Sequence, residues 1–117
     1  MQEETRTDLG KVRIHKKVIA SISSIASLEI EGVAKMGGSL KSSISEILGN
    51  KGTDGIDVAI DKDNEAKIDV PIVIKYGYNI PEVSQKVQDN IRNALEKMIN
   101  ISIKEINIDV QSIERGR

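Results

Sequence analysis

Between Ala66 and Met98 the apolar residues change period, and that change constrains the fold more than any other feature of the chain. Ala66, Ile68, Val70, Ile72, Ile74, Tyr76 and Tyr78 fall on alternate positions, the repeat of a strand with one buried face. From Ile80 the interval lengthens to about 3.6 residues, placing Ile80, Val83, Val87, Ile91, Ala94, Leu95 and Met98 on one stripe of a helix. Both segments are polar on their other side. Lys67, Asp69, Lys75 and Gly77 share the second strand face with Val73, while Ser84, Gln85, Gln88, Asp89, Arg92, Asn93 and Glu96 cover the back of the helix. The run Asn79-Ile80-Pro81-Glu82 fits helix initiation: Asn79 suits the N-cap, Pro81 the first turn, and Glu82 stands three residues after the cap, where it can reach back. Pro71 has no amide proton, so the strand either lies at a sheet edge there or turns that nitrogen away from its neighbour.

The rest of the chain follows the same one-sided patterning. In "GKVRI", Val12 and Ile14 alternate as a short strand, and Val18, Ile19, Ile22, Ile25 and Ala26 then take helical spacing. That reading puts the serines of "SISSIAS" on the polar side of the helix and its end near Gly32. Val33–Met36 reads as a brief extended piece. Leu40, Ile44, Ile47 and Leu48 suggest a short helix, with Ser43 and Glu46 spaced as a capping box and Gly49 as its stop. Ile56, Val58 and Ile60 form a strand that "KDNE" turns back into the long one, a hairpin. After Asn100, Ile101 and Ile103 alternate, the phase slips at Lys104 and Glu105, and Ile106, Ile108 and Val110 resume, as across a β-bulge. These elements predict an α+β fold: a two-layer sandwich with a mostly antiparallel sheet and helices packed on one face. The open face of the sheet is expected to carry Asp57, Lys67, Asp69, Lys75, Glu105, Asn107 and Asp109. Residues 9–113 read as a single domain, flanked by flexible tails at 1–8 and 114–117.

Chemistry is harder to find. With 17 basic and 18 acidic residues the 117-residue chain has a formal net charge of -1, so no global positive field gathers nucleic acid or an anionic membrane. It has no cysteine, hence no thiolate metal site, and no apolar run of membrane-spanning length, so direct membrane insertion is not expected. His15, the single histidine, is placed where the first helix begins and has no second nitrogen ligand to complete a zinc site or a triad. "DKDNE" opens like a calcium loop, but Ala66 stands where the loop needs glycine and Ile72 where it needs a bidentate glutamate. Gly49, Asn50, Lys51 and Gly52 form a G-x-x-G, the backbone-gripping pattern of KH domains, and with Lys41 they define a nucleic-acid-binding alternative. That loop should join two helices, whereas here it leads into a strand. No cofactor, metal or catalytic group is expected, and nucleic acid is not the expected partner.

The order of motifs is more telling. "VPIVIKYGYNIPEVSQKVQDNIRNALEKMINISIKEINIDVQSI" (Val70 to Ile113) resembles the hallmark of the bacterial alkaline shock protein family: an aliphatic strand ending in Tyr-Gly, Asn-Ile-Pro-Glu-Val opening a helix, then an alternating strand. "GKVRIHKKVIASISSIASLEIEGVAKMGG" is similar to that family's opening segment and its Glu-Gly-Val-x-x-Met. The resemblance covers Gly10 to Ile113. It implies a small cytosolic protein without catalytic residues, mostly of Gram-positive bacteria, tied to envelope stress or lipid metabolism, and in some relatives held at the membrane by a separate anchor protein. Lacking the long charged extensions of larger stress-induced relatives, this chain looks more like the short housekeeping members. The expected function is therefore a non-enzymatic scaffold or adaptor acting through protein-protein interaction. Its expected location is cytoplasmic, reaching the membrane only through a partner. A membrane-anchored protein and further copies of the chain are the expected partners, and Tyr78, Asn79 and Ile80 the candidate contact residues.

Overall fold

The computed structural model describes residues 8–38 and 55–115, with side chains described from Lys16 onward. The elements are α1 (Asp8–Leu28), β1 (Val33–Met36), β2 (Asp57–Ile60), β3 (Glu65–Lys75), α2 (Ile80–Met98) and β4 (Ser102–Glu114). The helix expected at Leu40–Leu48 lies outside the described residues.

β3 organises the sheet. β4 runs parallel to it along Glu65–Lys75. β2 pairs antiparallel with Ala66–Asp69 and β1 antiparallel with Ile72–Ile74. A strand has only two edges, so β2 and β1 lie end to end on the edge opposite β4. Pro71 falls in the gap between them: its carbonyl accepts from Gly37 N–H at 2.8 Å, and its nitrogen, aimed the same way, meets no strand carbonyl there. A proline is thus accommodated in a central strand. The expected bulge is present, with Lys104 the extra residue between the pairs Ala66–Ile103 and Lys67–Glu105, and Gln111 is a second one.

The helix side of β3 is fully covered, with Ala66, Ile68, Val70, Ile72 and Ile74 all 0% exposed. Val83, Val87, Ile91 and Leu95 of α2 supply one part of the cover, as their spacing predicts. The two helices lie side by side and antiparallel: the Asn90 amide donates to the Ala26 carbonyl at 2.8 Å and to the Glu29 carboxylate at 3.0 Å, while Val83 lies against Gly32, in the turn beyond the C-terminal end of α1.

Three expectations fail in α1 and β3. The Val12–Ile14 segment is helical; two alternating residues are too few to fix a period, and extending an adjacent helix needs no new nucleus. The buried face of α1 also matches the expected stripe only in part: Ile19 and Ala26 are buried and Ile22 packs partly buried against the core, but the face is rotated toward the serines. Ile19, Ala20, Ser23, Ser24, Ala26 and Ser27 are buried, whereas Ile25 is 62% exposed and Val18 is exposed too. Small side chains let α1 lie close to its neighbours, and Ser27 settles its hydroxyl by donating to the Ser23 carbonyl at 2.7 Å. Finally, β3 stops at Lys75 rather than continuing through the tyrosines.

The far face of the sheet carries the expected polar rows. Lys67 meets Glu105 at 3.9 Å and Asn107 donates to Asp69 at 2.9 Å. Val73 and Pro71 are nonetheless buried on that side, beneath Lys35, which pairs with Val73 in register and reaches Glu114 at 3.8 Å, and Gln111, which lies against Gly37 beside Pro71.

Candidate functional site

The β3–α2 junction is built from two turns that meet. After Lys75 the chain passes through Gly77 at φ +96°, and Tyr78 N–H returns to the Lys75 carbonyl at 3.4 Å. Asn79 then caps α2 as its position predicts, its side chain accepting from Glu82 N–H at 2.9 Å. Glu82 turns its carboxylate to Lys86, 3.4 Å away, and Pro81 occupies the first turn.

Tyr78 docks on the other turn. Its ring lies over Gly32, which takes φ +107° between α1 and β1: a Cβ built on Gly32 would stand 2.9 Å from the Tyr78 ring and 2.9 Å from Val83. Its hydroxyl donates to the Glu31 carboxylate at 3.0 Å. That hydrogen bond, with partial desolvation and the nearby negative charge, raises the Tyr78 phenol above its ordinary value. Tyr76 behaves differently. Placed by alternation against the helices, it is in fact 64% exposed, with the Arg115 guanidinium 4.8 Å from its ring centre. The strand ends before it, so the alternation no longer governs its direction.

Tyr78, Asn79 and Ile80 are therefore adjacent at one end of the molecule, where Tyr76 and Ile113 add further exposed apolar surface. Glu31, Gly32 and Arg115 complete this end and were not singled out from the sequence as parts of it. Glu31 lies 47 positions from Tyr78, and no local repeat connects them.

Elsewhere the structure offers less. Asp61, Asp63 and Glu65 bring one carboxylate oxygen each within 4.8 Å of the others. Asp61 is already engaged: Oδ1 accepts from the N–H groups of Asp63 and Glu65 at 2.9 and 3.0 Å, and Oδ2 lies 3.7 Å from Lys104. The backbone donor of Glu65 contributes most to holding its pKa below the ordinary 3.8. This is the chemistry of a hairpin turn, with Asn64 at φ 63°. A groove of about 280 Å³ runs between α2 and β4, walled by Pro81, Ser84, Gln85 and Gln88 and floored by Ile106–Ile108. His15 lies within α1. Gly49, Asn50, Lys51, Gly52 and Lys41 are outside the described residues.

Comparison with known proteins now bears on these motifs. The family model for alkaline shock (ASP23) proteins, described as having cell envelope-related function, matches residues 4–115. The chain belongs to the ASP23 family. It is 42% identical to the uncharacterized protein YqhY of Bacillus subtilis over 109 residues, 92% of this chain and 80% of that protein. It is 28% identical to the uncharacterized protein YloU of the same organism over 116 residues, 97% and 96% of the two chains. An uncharacterized Streptococcus pyogenes protein is 27% identical over 111 residues, 90% of this chain and 80% of its own. No solved structure matches. The paired turns that unite Glu31-Gly32 with Tyr78 are thus the three-dimensional form of two motifs by which the chain resembles the ASP23 family. No helix among the described residues is long and apolar enough to cross a membrane.

Proposed function

We propose that this ASP23-family chain is a non-enzymatic adaptor that acts in cell-envelope homeostasis by binding another protein through the end of the domain where β3 meets α2. One observation carries the reading: Tyr76, Tyr78, Ile80 and Ile113, large apolar side chains exposed at this end, are held on a frame fixed by a capped helix and a docked glycine turn. Exposed aromatic and aliphatic surface on a rigid frame suits protein recognition. The polar rim supplied by Glu31, Asn79 and Arg115 supports the same reading. In this reading the protein works in the cytoplasm and reaches the membrane through its partner, a membrane-anchored protein.

A photo-crosslinking residue introduced at Ile80 in the native cell tests this directly, with Lys97 near the far end of α2 as the control position. Expected is a discrete protein adduct from position 80 that disappears when Tyr76 is changed to Asp. Equal labelling from both positions, or no protein adduct at 80, would refute the assignment of this surface.

A further inference from the structure

The outer edge of β4 is the longest run of unpaired strand backbone among the described residues. β4 has 13 residues, bonds β3 on one side, and has no described strand on the other. The phase of that edge is fixed by Gln88, whose side-chain amide donates to the Ile106 carbonyl at 2.7 Å. Ile106 therefore points its backbone groups outward, and Ile108 and Val110 do likewise, because strand backbone groups alternate between the two edges.

We propose that this edge pairs antiparallel with the same edge of a second copy, centred on Ile108, so that one sheet continues across a two-fold axis. The inference deepens the adaptor reading above by naming one partner of the chain, another copy of itself. Outward-facing residues must meet outward-facing residues, which permits centres at Asn107, Ile108 or Asp109; centres further out run into the bulges at Lys104 and Gln111. Centring on Asn107 sets Glu105 opposite Asp109, and centring on Asp109 sets that carboxylate against its own copy, both unfavourable like-charge pairs. Centring on Ile108 instead places Asn107 opposite Asp109, Ile106 opposite Val110 and Glu105 opposite Gln111. No like charges face one another. This centre is also the midpoint of Ser102–Glu114, so the whole strand overlaps.

Burial points the same way. On β3 the helix-side residues are fully covered, but on β4 Ile103, Ile108 and Val110 are only partly buried, and Ile106 alone is buried. A second copy would lay its Val110 and Ile108 beside them. Between the two bulges, Glu105–Val110 contains no lysine, proline or irregularity of the kind that guards a sheet edge. Among the described residues, the Gln88 side chain occupies it, and on pairing it would yield the Ile106 carbonyl to the Val110 N–H of the second copy.

Light scattering on the full chain over a concentration series should show a dimer. Ile108→Pro removes an outward N–H while leaving the bonds to β3, and should halve the apparent mass with an unchanged circular dichroism spectrum. Because Ile108→Pro also alters packing, a second test reads the register. The chain has no cysteine, so Asn107→Cys and Asp109→Cys can be purified separately, mixed and oxidised. These positions form a non-hydrogen-bonded pair with Cα atoms about 4.5 Å apart, within disulfide range. Expected is a covalent dimer formed at least tenfold faster in the mixture than in either variant alone. A monomer at every concentration, or equal cross-linking in all three samples, would overturn the edge pairing. Either result would leave the crosslink from Ile80 untouched, so the two ideas fail separately.

Discussion

Gly32 and Gly77 offer a controlled comparison, because both carry strongly positive φ, +107° and +96°, yet only one is crowded. An alanine Cβ at Gly77 meets nothing within 4 Å, whereas at Gly32 it would lie 2.9 Å from the Tyr78 ring, 2.9 Å from Val83 and 3.2 Å from a second ring atom. Left-handed backbone costs a non-glycine residue about 1–2 kcal/mol, and overpacking a filled site costs a further ~1–3 kcal/mol. Gly77→Ala should therefore destabilise by about 1–2 kcal/mol and Gly32→Ala by about 2–5 kcal/mol. The gain from restricting the unfolded chain applies to both and cancels in the difference. Against a typical total of about 5–15 kcal/mol, the larger loss is easily seen as a lower urea midpoint at unchanged slope. Truncating Tyr78 to alanine beside Gly32→Ala should recover part of the excess but not the Val83 contact. Equal losses at the two glycines would show that the ring does not sit on Gly32, and the paired-turn description of the site would fall with it.

Removing the α2 cap with Asn79→Ala should cost about 1 kcal/mol in the same assay; an unmoved midpoint would show that Asn79 is not the cap. Ser23 is 0% exposed and its hydroxyl has no partner among the described residues, so Ser23→Ala should stabilise by about 1 kcal/mol, and a clear destabilisation would mean that the hydroxyl is satisfied. In a Tyr76→Phe variant, where Tyr78 is the remaining tyrosine, tyrosinate absorbance should appear above the ordinary 10.0 and move back toward it with Glu31→Gln. Since the folded value is raised, the stability from this contact is complete below the ordinary tyrosine value and is lost as pH rises through the raised one; a titration unmoved by Glu31→Gln would refute the hydrogen bond.

What could be read from the sequence depended on how many residues expressed a period and on which force set it. α2 was legible because a long amphipathic run, a cap and a proline all agreed. β3 was legible up to Lys75, and the bulge at Lys104 showed itself as a slip between two alternating runs. Alternation continues in the sequence past the end of the strand, into Tyr76 and Tyr78, because Gly77 marks a turn that two aromatics at strand spacing disguise. The buried face of α1 departs from its apolar stripe for a different reason. Hydrophobicity ranks Ile25 far above Ser23 and Ser27, but a helix packed beside another helix and over a sheet is selected for approach distance as well as apolarity, and small residues win that contest. The second bulge, at Gln111, left no signal since the residues around it are polar or mixed. The pairing of Tyr78 with Glu31 and Gly32 is a property of how two turns meet in space, so only the family resemblance singled out both motifs.

The two proposed surfaces are geometrically coupled. Tyr76 N–H bonds to the Glu114 carbonyl at 2.8 Å, so the tyrosine end of the domain lies at the C-terminal end of β4. In a pair centred on Ile108 the two copies of β4 run in opposite directions, which sends the two tyrosine ends to opposite extremities of the shared edge. Six residues separate Ile108 from Glu114 on each side, and at about 3.3 Å per residue the two ends stand roughly 40 Å apart. Each domain then offers its binding end outward, and the dimer is a divalent connector rather than a closed unit. A partner clustered on a surface could engage both ends, gaining a large factor in overall affinity without any new contact, provided its spacing matches. Ile108→Pro should consequently leave binding of a single partner molecule at Ile80 intact while abolishing the avidity for a clustered one. Loss of both together would mean that edge and end are one interface, and the connector geometry would be wrong.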